Sequence, residues 1–138
     1  MSSRKSQAMN QITLEEDMNV PDSKADAAGI IQQRGRIKVE ESKILENQIL
    51  TTGYLEVWIL YLSDSENHQV HRLQARLPFT EKLNLEGAKP GDNISLKWEI
   101  EDIRVQLINS RKISIQALVT FKAAVEELYD AQAAVEIK

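Results

Sequence analysis

Alternation of apolar and polar positions runs through this chain and is densest from Gln48 to Leu62, QILTTGYLEVWILYL. One parity carries Leu55, Val57, Ile59 and Tyr61. The other carries Tyr54, Glu56, Trp58, Leu60 and Leu62, apolar but for one glutamate. A two-residue repeat rich in β-branched and aromatic side chains predicts a β-strand. Apolar residues on both parities predict cover on both faces, at least in part.

Further strands follow from the same reading. Ile37 and Val39 alternate with Arg36, Lys38 and Glu40, and Lys43 to Asn47 fits as a continuation across a bulge. After the turn-rich cluster Ser63 to Asn67, the residues His71, Leu73, Ala75, Leu77 and Phe79 share one parity. This predicts a half-buried strand returning antiparallel and ending near Pro78, with Leu83 and Leu85 in a short link. Lys89-Pro90-Gly91-Asp92 has the signature of a type II turn. Ile94, Leu96, Trp98 and Ile100 then alternate, and Ile103, Val105 and Leu107 resume one residue out of phase. Such a slip predicts a β-bulge near Glu101–Asp102. Asn109-Ser110-Arg111 turns the chain into its longest alternating run, Ile113 to Val125. Residues 126–138 fit a bent strand or a short helix, and the period of Val135 and Ile137 favours strand.

The N-terminal part is patterned differently. Residues 1–11 are polar and without period, which predicts a mobile tail. Ile12 to Asp22 reads as extended and closes on Pro21. Ser23 with Asp26 fits a capping box, and Ala25, Ala27 and Ala28 follow, so a short helix is predicted over Lys24 to Gln32. Ile30 and Ile31 would anchor it, although Gly29 weakens it. The expectation is an all-β antiparallel sandwich of about 6–8 strands with one short N-terminal helix. It occupies residues 12–138 as one domain behind the tail.

Composition narrows the function. The chain has 138 residues, a net charge of −4 and no cysteine. That charge gives no general attraction to nucleic acid or an anionic membrane. Without cysteine there is no disulfide framework, thiolate nucleophile or cysteine-based zinc site. The longest apolar run, Val57 to Leu62, is far too short to span a membrane. The first eleven residues lack the apolar core of a secretory signal, so cytoplasmic synthesis is expected.

Candidate chemistry is sparse. His68 and His71 near Asp64 and Glu66 suggest a metal site, but His71 shares the core parity while His68 falls in a turn. A partly buried histidine beside a solvated turn is the simpler reading. Trp58 and Trp98 could stack on sugars, yet both sit on alternating apolar faces where large aromatics are usually core. Glu15, Glu16 and Asp17 read as a solvated cluster. The glycines of GAKPGD lack phosphate-loop spacing, and no serine stands in a nucleophile elbow. No catalytic, metal or cofactor residue is assigned. One apolar surface is left over: Tyr54, Trp58, Leu60 and Leu62 need cover from either the helix or a partner chain.

The segments from Glu15 to Asp64 resemble the SPOCS-domain family, the SipL-type spore-envelope morphogenesis proteins of endospore-forming bacteria. The resemblance rests on Val20-Pro21-Asp22, on Ile30-Ile31 and on the strand from Gly53 to Leu62. LPFTEKL at Leu77 to Leu83 and the corner Leu107 to Ile113 are similar too. It implies a non-enzymatic protein-interaction module in spore-coat or spore-surface assembly, since better-known members are adaptors for a coat-basement ATPase. SipL-like proteins also carry a LysM domain and often repeat the SPOCS domain, whereas one copy and no LysM segment is found in this sequence. The expected partners are spore-envelope proteins or further copies of the chain, with residues 1–17 serving as an added strand or tether. Peptidoglycan binding is the other alternative. The protein would be made in the mother cell and deposited on the forespore surface. Tyr54, Trp58, Leu60 and Leu62, with Val20, Pro21 and Asp22, form the candidate partner-binding set.

Overall fold

The computed structural model describes residues 3–127, which form six strands in chain order. They are β1 (Ser3–Asn19), β2 (Ala27–Leu45), β3 (Gln48–Ser63), β4 (Val70–Asn84), β5 (Asn93–Asn109) and β6 (Lys112–Glu127). Two antiparallel three-stranded sheets result, ordered β1-β6-β5 and β2-β3-β4. Each sheet is centred on one of the two strongest alternating runs in the sequence. Their inner parities meet: Leu55, Val57, Ile59 and Tyr61 of β3 and Ile113, Ile115, Val119 and Phe121 of β6 are all buried. Phe79 meets Phe121 across the sandwich, ring centroids 5.3 Å apart. An all-β antiparallel sandwich is the architecture.

The expected helix over 24–32 is not there. Pro21 to Lys24 forms a turn, and Ala27 opens β2. The Asp26 carboxylate accepts from Arg111 instead of capping a helix, and the Ala27 amide donates to the Ser110 carbonyl. Gly29 costs a helix about 1 kcal/mol against alanine, while Ile30 gains a strand partner in Tyr61. Non-local pairing with β3 therefore overrides the alanine-rich local preference.

The polar N-terminal segment is also ordered differently from expectation. β1 starts at Ser3 and runs in register along β6 from Ser6–Val125 to Asn19–Lys112. The predicted boundary at residue 11 falls inside this strand. β6 needs a partner on its second edge, and β1 supplies one, so the segment expected to reach a neighbour pairs within its own chain. β4 likewise continues past Pro78 to Asn84, the proline being tolerated because β4 is an edge strand. The expectation for residues 128–138 lies outside the described residues.

Local signals at the turns are met. Gly91 has φ 93°, and the Asp92 amide donates to the Lys89 carbonyl at 3.0 Å, as a type II turn requires. Opposite Ile100–Asp102 the register slips by one, with Glu101 as the extra residue. Further slips leave Lys5, Ala28, Ile31, Glu40 and Ile108 unpaired. All six lie on β1, β2 or β5, which are edge strands. Bulges twist an edge and blunt it against edge-to-edge pairing.

Candidate protein-interaction face

Gly53 sets the sheet on which the candidate residues stand. A Cβ there would strike the Lys38 carbonyl and the Val39 backbone, so β2 can lie this close to β3 only over glycine. From that point β3 sends Leu55, Val57, Ile59 and Tyr61 inward. Tyr54, Glu56, Trp58, Leu60 and Leu62 project from the opposite, outer face of the β2-β3-β4 sheet.

The outer row is only half covered. Tyr54, Trp58, Leu60 and Leu62 are neither buried nor fully exposed, and among the described residues the two rings are covered by arginines and by no helix. The Trp58 ring has the Arg34 and Arg36 guanidinium carbons 5.6 and 5.7 Å from its centroid, and Arg76 lies 4.6 Å from that of Tyr54. Such contacts hold each ring at its edges or face by attraction to the π-system. Glu56, 6% exposed, accepts from Arg36 at 3.1 Å and from Gln74 at 2.9 Å. The lone acid in the apolar row is thereby satisfied from both neighbouring strands.

Register extends this pattern across the face. On one side of β3 lie Arg34, Arg36, Lys38 and Lys43 of β2; on the other lie Arg72, Arg76 and Lys82 of β4. All seven are exposed. Among the described residues three carboxylates share the face: Glu41 and Glu56, which pair with Lys43 and Arg36, and the exposed bulge residue Glu40 beside Glu41. Arg34, Lys38, Arg72, Arg76 and Lys82 have no ion-pair partner among the described residues. Beyond Arg72, which stands opposite Leu60, the face turns apolar: Val70 stands opposite Leu62 and is 56% exposed, and the bulge residue Ile31 is 52% exposed. The arginines on β2 and β4 were missed in the sequence because each reads as the polar half of an ordinary alternation.

The other candidate residues fall elsewhere. Val20 is a core side chain, 2% exposed, and so is not offered to a partner. Pro21 and Asp22 are exposed in the turn beside it. That turn is clasped by Arg111, whose Nη1 donates to the Lys24 carbonyl at 2.7 Å and to Asp26 Oδ1 at 3.1 Å. Its Nη2 donates to the carbonyls of Val20 and Pro21 at 3.0 and 2.9 Å. The two sequence landmarks Val20-Pro21-Asp22 and Asn109-Ser110-Arg111 are thus one structural joint between the sheets. Beside it the Tyr61 hydroxyl donates to the Ala25 carbonyl at 2.7 Å. Burial pushes the Tyr61 phenol above its ordinary value near 10, Arg111 pulls it down and Asp26 pushes it up.

His71 stacks on Tyr61 with centroids 5.3 Å apart, while His68 sits exposed in the β3–β4 turn. The two therefore have different surroundings and do not converge on one site. Trp98, expected in the core, is 43% exposed. It has the inward parity opposite Phe121, but it lies on the edge strand β5. A cavity of about 230 Å³ adjoins it, lined also by Lys97, Glu99, Thr120 and Lys122.

A face of this kind, flat and rich in aromatic and arginine side chains, holds a surface rather than a small substrate. Its sequence agrees with a known family. The family model described as "SipL, SPOCS domain" matches residues 26–108. This chain belongs to the SipL SPOCS-domain family. The matched span takes in the whole β2-β3-β4 sheet and nearly all of β5, and it lies within the range of the resemblance read from sequence. No curated protein and no solved structure matches the chain. As a member of the SPOCS-domain family it has a non-enzymatic, structural role in the spore envelope, exercised through protein partners. No helix among the described residues is long and apolar enough to cross a membrane.

Proposed function

We propose that this SPOCS-domain chain docks onto another spore-envelope protein through the outer face of its β2-β3-β4 sheet, after synthesis in the mother cell and delivery to the forespore surface. The observation that supports this is the half-buried row Tyr54, Trp58, Leu60 and Leu62, whose two rings lie against the chain's own arginines and over which no helix lies among the described residues. Interfaces favour Trp, Tyr and Arg anchors at their centres. A fluorescent fusion in sporulating cells should form a ring around the forespore. Trp58→Ala with Leu60→Asp should leave it diffuse in the mother cell, while Leu118→Asp on the opposite sheet keeps the ring. A ring retained by the double variant removes this face from the account.

The same reading predicts a monomer by light scattering, because β1 already pairs with β6 of its own chain. An oligomer dissolved by Leu60→Asp would make a second copy the occupant. A second reading, glycan binding, is favoured by the exposed Trp98 ring beside its cavity. Tryptophan fluorescence titrated with peptidoglycan fragments separates them: a saturable change lost in Trp98→Phe supports the glycan, and a flat titration supports protein docking alone.

A further inference from the structure

Charge on the proposed docking face specifies what should cover it. We infer that the occupant is an acidic polypeptide segment of the partner, carrying carboxylates at its flanks and apolar side chains along its middle. The inference rests on the docking reading above and deepens it. Two basic rails, Arg34, Arg36, Lys38 and Lys43 on β2 and Arg72, Arg76 and Lys82 on β4, run either side of the β3 row. Neighbouring strands lie about 4.8 Å apart, so the rails are about 10 Å apart across β3. Between them stand Tyr54, Trp58, Leu60 and Leu62. This width and order match one segment seated on the aromatic and aliphatic strip with its carboxylates turned to both rails.

The excess of cations is local. Among the described residues the face carries seven cations against three carboxylates, Glu41 and Glu56 in register and Glu40 at the bulge, on a chain whose net charge is −4. Concentrating unpaired cations on one face of an acidic chain attracts an acidic partner and rejects a basic one. Five of these cations lack an ion-pair partner among the described residues, so their attraction is not spent internally. The guanidinium fork suits planar carboxylates, in pairs if need be. A phosphate polymer fits less well. Its backbone would run over buried Glu56 and would leave Leu60, Leu62, Val70 and Ile31 facing charge instead of apolar groups.

A random copolymer of glutamate and tyrosine serves as the probe, with duplex DNA and polyphosphate in parallel arms. The Trp98→Phe chain is used so that Trp58 alone reports by fluorescence. The copolymer should bind saturably, and its affinity should fall about tenfold between about 50 and about 300 mM salt. Arg34→Glu with Arg76→Glu should weaken it at least about tenfold, with the circular dichroism spectrum unchanged. Equal or tighter binding of DNA or polyphosphate overturns the polypeptide, and binding indifferent to the charge reversal overturns the acidic partner. The forespore-ring assay keeps the two layers apart. A ring lost on Leu60→Asp yet kept on Arg34→Glu with Arg76→Glu leaves the docking face standing and removes its acidic occupant.

Discussion

Among the described residues, outward positions of the β2-β3-β4 sheet carry seven cations and three carboxylates, whereas those of the β1-β6-β5 sheet carry Lys97, Arg104, Lys112 and Lys122 against Glu15, Asp17, Glu99, Glu101, Asp102 and Glu126. The central rows differ as well. Tyr54, Trp58, Leu60 and Leu62 stand on β3, while β6 presents Ser114, Gln116, Leu118 and Thr120. Both faces arise from the same two-residue alternation, so backbone geometry does not distinguish them. What distinguishes them is which residue types the alternation sends outward. A net charge of −4 is an average over these two unlike surfaces, and the electrostatic partner must be argued face by face.

The largest blow to the comparison is at Gly53. Gly53→Ala places a methyl group against the β2 backbone, and about 3 kcal/mol of stability should be lost in urea unfolding. Amide exchange should quicken first in β2 while β1 and β6 stay protected. Uniform loss of protection would mean that the two sheets do not have separate stabilities.

Next comes the joint between sheets. Arg111→Lys keeps the charge but not the fork that serves four acceptors, and about 2 kcal/mol should go. Full retention of stability would show that one cation suffices. Tyr61 reads the same joint. Its folded phenol is held above the unfolded value, so its contribution is intact at neutral pH and is lost as pH rises through the folded value. Tyr61→Phe should remove that alkaline component from the unfolding profile.

A smaller pair of changes compares the faces directly. Glu56→Gln, at a carboxylate held by Arg36 and Gln74, should cost about 1 kcal/mol. Asp102→Asn breaks the exposed Arg104 pair and should fall within about 0.5 kcal/mol of zero. Equal costs would erase the distinction in packing between the two surfaces.

Much of the fold could be read directly from residues. Period two placed β3 to β6, the phase change between Ile100 and Ile103 placed the bulge at Glu101, and Pro90-Gly91 placed the turn. The N-terminal third resisted, because its strands depend on distant partners: Ser3 to Gln11 is a strand only because β6 offers an edge, and Ala27 to Gln32 only because β3 does. The site was half legible. Tyr54, Trp58, Leu60 and Leu62 announced a surplus apolar row, but Arg34, Arg36, Arg72 and Arg76 meet only once the strands are in register. Val20, placed in the candidate partner-binding set from its sequence landmark, is a core residue beneath the Arg111 clasp.

Docking of this kind requires a partner to choose one face of the sandwich. Amide chemical-shift mapping of the ¹⁵N-labelled chain against the glutamate–tyrosine copolymer tests this choice residue by residue. Perturbations should concentrate on β3 from Leu50 to Leu62 and on the flanking basic rows of β2 and β4. A map centred on β1, β6 and β5 would contradict it.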